Sequence, residues 1–525
     1  MTNMSFTNLS DTAIHQALLR HARTANTHSG FHLGSLLTGD RVRGSEIPIG
    51  GGMRLNYAAN YFNTETLQLL QELARAQQVV SKFVNLTNGA IMNTGENRTV
   101  LHHRTRNRQH VDNFYQQQLQ RIDKFVAKVH SQEIVGSTNQ AFEEVVQIGI
   151  GGSHLGPETL YLALSDWAVG AKSPRHMEAK FIANVDPDDA ASVITSCNLA
   201  RTLFAVVSKS GTTDETSANE KIVRAALEAA GLDPAKHIVA VTSETSPMAK
   251  SSDYLDSFYI DDSIGGRFSS TSAVGGLLLS LCFGTEVFER LLDGAHEADQ
   301  LAMRDCITGN AALMKALLDV FSCSYLSYNT LAVLPYNKAL RRFPAHLQQL
   351  IMESNGKSVN RYGEVIHYPT SPVVLGEEGT NYQHSFGQYI HQGTSKIFVD
   401  FIAFAKSQLG DDLEVNGSTN QERLLGNLIA QIVAMAKGSE NTVDPNQHFP
   451  GGIPSSLIYG EQLNPEALGA LLAFYENATT FTGFILNLNS YDQPGVELGK
   501  ILTKSILNNT SEDPAILALR ELFDF

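Results

Sequence analysis

From about residue 145 onward, short apolar runs alternate with amphipathic stretches, the pattern left by parallel sheets covered with helices. Candidate strands are Val145 to Ile150, Phe181 to Val185, Leu203 to Val207, His237 to Val241 and Phe258 to Asp261, each followed by a turn or helix start. A second set begins at Leu331 to Pro335 and continues through Val373 to Leu375, so two α/β units are expected. The stretch before about residue 110 differs: polar helical patterns such as Thr64 to Phe83 dominate, and they predict helices packed on a domain. Basic residues from Arg98 to Arg108, interleaved with His102 and His103, read first as a solvated helix face, with the lining of a cleft by part of the segment as the alternative.

Two glycine- and hydroxyl-rich turns follow candidate strands. In Gln147-Ile-Gly-Ile-Gly-Gly-Ser-His-Leu-Gly-Pro157, a strand gives way to a tight turn around Gly152 and Ser153, and Pro157 reads as a first helical position. Such a turn exposes backbone N–H groups to an anion. Dinucleotide binding requires a glycine where His154 stands, so the nicotinamide-cofactor reading weakens. The second turn, Ser208-Lys-Ser-Gly-Thr-Thr-Asp-Glu215, precedes a helical pattern ending at Gly231. Hydroxyls and free N–H groups at a helix N-terminus suit phosphate oxygens, and Lys209 adds a full cation. A capping box of Thr212 and Glu215 is the plain alternative, but it leaves Ser208, Lys209, Ser210 and Thr213 unexplained. The two turns together predict a sugar-phosphate pocket, which an enzyme or a non-catalytic sugar-phosphate-binding regulator would share.

Further along, Leu340, Phe343, Leu347 and Leu350 repeat at helical spacing before the stop signal Asn355-Gly356, which places Glu353 in a last turn and Gln349 on its face. His384 follows a Gly-bounded polar loop, and an imidazole suits proton exchange near neutral pH. His391 lies two helical turns on, without a carboxylate at ligand spacing, so no metal site is expected. Arg267 stands beside two glycines, where a fixed guanidinium can stabilise a developing oxyanion; Lys500 ends Gly-Val-Glu-Leu-Gly-Lys. Taken singly, each of these is more simply a helix-end glutamate, a structural histidine or a surface ion pair.

Composition narrows the partners. Acidic residues outnumber Lys and Arg by 54 to 39, giving a formal charge of −15 that disfavours nucleic acid and anionic membranes. The four cysteines form no CxxC pair, and neither a leader nor a membrane-length apolar run is evident, so a soluble cytoplasmic protein is expected. At 525 residues the chain calls for more than one core.

The motifs Gly-Ile-Gly-Gly-Ser-x-Leu-Gly-Pro, Ser-Lys-x-x-Thr-Thr-x-Glu-Thr, Gly-Gly-Arg-x-Ser, Met-Glu-Ser-Asn-Gly-Lys, Gly-Thr-Asn-x-Gln-His-x-Phe and Gly-Val-Glu-Leu-Gly-Lys occur in the order found in the glucose-6-phosphate isomerase family, which the chain resembles from about Asn93 to Lys500. It departs from the family at His154, often Asp, and at Ser210-Gly211, often Thr-Phe. The resemblance implies an α/β fold with two sugar-isomerase domains, each a three-layer αβα sandwich with a parallel-rich sheet, plus N-terminal helices and a C-terminal arm. The expected divisions are residues 115–290 for the smaller domain with the phosphate loops, 1–114 with 291–490 for the larger, and 491–525 for the segment carrying Lys500. It further implies interconversion of an aldose and a ketose phosphate, no metal or other cofactor, and a homodimer. Residue by residue, it assigns phosphate binding to Gly152, Ser153, Ser208, Lys209, Ser210 and Thr213, and substrate contacts to Gln349 and Gln493. Glu353 becomes the base, Arg267 the enediolate stabiliser, and His384 with Lys500 the ring-opening pair, His384 being lent by the neighbouring subunit.

Overall fold

A computed structural model describes residues 4–25, 31–108 and 113–525; Met1 to Asn3 of the N-terminus and residues 109–112 of the larger expected domain lie outside it. In chain order the strands are β1 (Glu46–Gly50), β2 (Met53–Asn56), β3 (Ile91–Asn93), β4 (Arg98–Thr99), β5 (Glu144–Ile148), β6 (Glu178–Ile182), β7 (Thr202–Val207), β8 (Ile238–Ser243), β9 (Ser257–Ile260), β10 (Thr330–Tyr336), β11 (Val373–Gly376), β12 (Ile397–Lys406) and β13 (Ser455–Gln462). The five strands β5 to β9 form an all-parallel sheet in the order β6-β5-β7-β8-β9.

Strands β7 and β8 are buried at every position, which explains the apolar runs Leu203 to Val207 and Ile238 to Val241 within them: helices cover both faces. The pleat sends Val145, Leu203 and Ala205 into the main core, while Val146, Phe204 and Val206 face a second cluster with Val223 and Leu227 of the helix Asp214–Ala229.

The second sheet runs β1-β2-β13-β12-β10-β11, parallel among β10 to β13 and antiparallel at the β1 and β2 edge. Here the structure adds to the sequence reading. The N-terminal stretch contributes a hairpin to the sheet as well as helices, turning through three glycines with positive φ. Gly51 is required there, because a Cβ would lie 2.2 Å from the Glu466 carbonyl oxygen. Strands β12 and β13, absent from the expected set, occupy the middle of this sheet. The helical pattern of Thr64 to Phe83 forms two helices, Thr64–Ala76 and Val79–Thr87, broken at Gln78 with φ 50°.

The helix Pro465–Ile485 is buried along nearly its whole length and packs on Thr285–Ala302, beside two internal charge networks. Arg106 is fully buried between Asp299, 3.0 Å away, and Glu476, so the basic run it belongs to is not a solvated helix face. His102 and His103 are buried with it. Nearby, Lys315 joins Asp319 at 2.6 Å and Asp400 at 3.0 Å, and the Tyr475 hydroxyl donates to Asp400. Charges so buried are tolerable only when paired in this way.

At the C-terminus, helices Glu497–Leu507 and Pro514–Glu521 bury no residue and leave Leu498, Ile501, Leu522 and Phe523 exposed. Among the described residues, no helix is long and apolar enough to cross a membrane.

Candidate active site

The first phosphate-type turn leaves β5 as a short 3-10 turn, Gly151–Ser153, and enters the helix Leu155–Gly170. That helix starts at Leu155, so Pro157 is its third residue rather than its first, still within the turn whose N–H groups lack intrahelical partners. Gly152 is pressed on the loop of Gly266: a Cβ would sit 2.2 Å from that backbone, so only glycine lets the two loops meet. Gln147 Nε2 donates to the Ser153 carbonyl at 2.7 Å and fixes the turn.

The second turn leaves β7, and Thr213 takes the N-cap position of the helix Asp214–Ala229. The capping box of Thr212 and Glu215 does not form: Thr212 donates its N–H and hydroxyl to Ser210 Oγ at 3.2 and 3.1 Å. Ser208, buried, shares a hydrogen bond with Thr213 Oγ1 at 3.0 Å and accepts from Gly211 N at 3.1 Å. Lys209 Nζ donates to the carbonyls of Asp262 and Ile264 at 2.7 and 2.8 Å; burial, then the nearby Arg98 cation, pulls its pKa below the usual lysine value.

These turns wall a cavity of about 590 Å³ lined by Gly152, Ser153, Lys209, Ser210, Thr213, Gln493 and Lys500. Ser208 lies behind this lining and holds the loop from within. Lys500, on the exposed C-terminal helix, pairs with Glu497 at 2.8 Å.

A neighbouring cavity of about 800 Å³ contains Gln349, Glu353 and Lys357 and shares Gln493 with the first. The chain from Phe343 to Asn355 is helical, widening to a π-helix over Gln348–Glu353. Glu353 is therefore in the last turn, as expected, and the wider turn keeps Gln349 on its side. Gln349 Oε1 is buried without a hydrogen-bond partner among the described residues, while its amide nitrogen faces Gly151.

Arg267 lines neither cavity but lies behind them, bonded to Glu353 of the second and to Gln493, which both share. It is buried, with Nη1 3.2 Å from Glu353 Oε2 and 3.0 Å from Gln493 Oε1. Nε donates to Ser354 Oγ at 2.7 Å, and Nη2 donates to the carbonyls of Ser490 at 2.6 Å and Asp492 at 3.1 Å. Burial lowers its pKa from the arginine norm, opposed by Glu353. The planar fork thus fixes the Glu353 carboxylate relative to the Gln493 amide, which a flexible ammonium cannot do.

His384 is not brought to this place within one chain. It ends the exposed turn Asn381–His384 and lines neither cavity. His391, its neighbour, pairs with Gln431 Oε1 at 2.8 Å. Among the described residues, no group of three or more His, Cys, Asp or Glu side chains is placed to hold a metal ion.

The sequence reading did not single out Lys357 or Asp492, and it named Arg98 only within a basic run of which part could line a cleft. Lys357 Nζ reaches Asp492 Oδ1 at 2.5 Å and the Asp492 carbonyl at 2.9 Å, tying the end of the Glu353 helix to the Gln493 loop. Lys357 closes the motif Met-Glu-Ser-Asn-Gly-Lys and was within reach; Asp492 carries no such signal. Arg98, on the β4 ribbon, lines the first cavity.

The model for the phosphoglucose isomerase family matches residues 56–518. Similar curated proteins include a glucose-6-phosphate isomerase of Treponema denticola, 52% identical over 490 residues and covering 92% of each chain. One from Borreliella afzelii is 42% identical over 502 residues, 92% of this chain and 94% of the relative. The crystal structure of a glucose-6-phosphate isomerase from Chlamydia trachomatis superposes with a TM-score of 0.91 at 39% identity, covering 99% of both chains.

Proposed function

The chain belongs to the phosphoglucose isomerase family and interconverts glucose 6-phosphate and fructose 6-phosphate; we propose that it does so by opening the sugar ring and moving one proton between C2 and C1 through a cis-enediol. The observation that carries the mechanism is the Arg267 fork, which holds Glu353 and Gln493 where the hydroxyl-rich cavity meets the cavity of Gln349.

In this reading the phosphate seats among Gly152, Ser153, Lys209, Ser210 and Thr213, with Ser208 bracing the loop. Lys500 and His384 exchange protons with the ring oxygen and the C1 hydroxyl. Glu353 takes the C2 proton and returns it to C1, and Arg267 stabilises the charge that develops on the enediol oxygen. Gln349, with one amide oxygen left without a protein partner, and Gln493 contact the sugar hydroxyls. General acid–base groups of this kind typically contribute about 10² to 10⁴ each.

His384 would enter from a second copy in a homodimer. Its exposure and its absence from both cavity linings support this, as do the unburied apolar residues of the C-terminal helices. The division into residues 115–290, 1–114 with 291–490, and 491–525 is supported by the sheets, since β5 to β9 fall in the first segment and the other large sheet's strands in the second. A regulator using the same pocket would bind sugar phosphate without forming ketose. Formation of fructose 6-phosphate by the native protein excludes that regulator, and Glu353→Gln tests the base: the variant should bind the sugar phosphate and fail to isomerise it.

A further inference from the structure

The described phosphate cavity has one wall that comes from neither phosphate turn. The ribbon β3-β4 pairs Asn93 with Arg98 and leans on the loop before Arg267, where Thr99 Oγ1 shares a 2.7 Å hydrogen bond with Ser263 Oγ. Arg98 is thereby carried to the cavity that holds Ser153, Lys209, Ser210 and Thr213. Its Nη1 lies 3.5 Å from the Asp262 carbonyl, the same oxygen to which Lys209 Nζ donates at 2.7 Å. Two cations therefore converge on one neutral acceptor.

Neither cation is well neutralised by the protein. Lys209 Nζ is held by two backbone carbonyls, and Arg98 meets Glu96 at 3.3 Å in a pair with both side chains more than two-fifths exposed. Such a pair is weak in water. The charged groups around this end are Lys209, Arg98 and Lys500 against Glu96, Asp261 and Asp262, and proximity of Arg98 to Lys209 disfavours the lysine charge. A ligand with two negative charges turns that repulsion into attraction to both cations, whereas a singly charged ligand needs only one.

We propose that Arg98 is a second phosphate-recognising cation of the substrate cavity and sets its preference for a dianionic phosphate over a singly charged ester. The proposal rests on the reading of this cavity as the phosphate end. Arg98 offers a planar donor set to two phosphate oxygens, while Lys209, anchored by its carbonyls, presents a point charge.

The test compares Arg98→Met, Arg98→Lys and Lys209→Ala with the native protein, using inorganic phosphate and glucose 6-sulfate as competitors. A phosphate gains its second charge near neutral pH, so native competition by phosphate should strengthen between about pH 5.5 and 8. Arg98→Met should weaken phosphate competition at pH 8 by about tenfold, flatten that pH dependence, and change glucose 6-sulfate competition by no more than about twofold. KM for glucose 6-phosphate should rise by a similar factor and exceed any change in kcat. Arg98→Lys, which keeps the charge and loses the fork, should fall between the two. Native phosphate competition in Arg98→Met, or equal loss toward phosphate and sulfate ester, overturns the proposal. If Lys209→Ala weakens phosphate competition in that case, the pocket reading stands without Arg98; if it too is native, the pocket reading fails as well.

Discussion

Replacing Arg267 with lysine separates charge from geometry at the centre of the site. The native guanidinium makes four hydrogen bonds in addition to its ion pair with Glu353. A lysine keeps one charge and three donors on a differently shaped head, so it cannot serve Ser354, Gln493, Ser490, Asp492 and Glu353 together. Leaving one or two buried acceptors unmet costs about 1–3 kcal/mol each, for a stability loss of about 1–6 kcal/mol. The kinetic loss should be larger. One aligned donor removed from a developing oxyanion typically costs about 10² to 10³ in kcat, and misplacement of Glu353 adds to it. We expect Arg267→Lys to lose at least about a hundredfold in kcat while KM changes by less than about fivefold, because the phosphate end is untouched. The assay is glucose 6-phosphate turnover coupled to detection of fructose 6-phosphate, with circular dichroism and thermal unfolding confirming a folded protein. A folded variant retaining more than about a tenth of native kcat would refute the assigned role of the fork.

If His384 crosses a dimer interface, mixing the inactive variants His384→Ala and Glu353→Gln after dissociation and reassociation should restore activity, since each hybrid holds one intact site; inactivity in proven hybrids would place both residues in one chain. Lys82, buried with its Nζ 4.3 Å from the Phe6 ring centroid, has its pKa pulled down by burial from 10.5 to about 7. The unfolded chain binds this proton up to about pH 10 and the folded one releases it near 7, so the cost of burying the charge is full below pH 7 and fades as pH rises. Lys82→Met should therefore stabilise the fold by on the order of 2–4 kcal/mol at pH 6.5 and far less at pH 10, in denaturant unfolding; an equal effect at both would contradict this.

The sequence made the first sheet readable because β7 and β8 are buried on both faces and carry apolar runs of five and four residues, Leu203 to Val207 and Ile238 to Val241. Strand β12 is buried over its first eight residues but contains Asp400, whose charge is met by Lys315 from a distant helix, a compensation only the fold reveals. The same holds for Arg106, which looks like part of a solvated basic run until Asp299 and Glu476 close around it. The site was legible where glycines and hydroxyls mark turns: the Gly152 and Ser208 to Thr213 loops and the last turn with Glu353 lie where the motifs put them. What could not be read is which loops meet. Arg98 reaches the cavity through a ribbon that contacts a loop 164 residues away, and Lys357 acts on Asp492 across 135 residues. The motif of His384 is plain in the sequence, but within one chain the fold brings it to neither cavity lining.

The central claim is that Glu353 moves the proton. Glu353→Gln keeps the side chain's size and some of its hydrogen bonding but removes the base, so the variant should fold and bind glucose 6-phosphate. In heavy water, the native protein should wash solvent deuterium into C2 of glucose 6-phosphate, because a proton held on a carboxylate can exchange before it returns. Ring opening, followed separately by the rate at which the two anomers interconvert, should persist in the variant. The account predicts that Glu353→Gln loses C2 exchange and isomerisation together while anomer interconversion continues; C2 exchange at the native rate in the variant would mean that another group is the base.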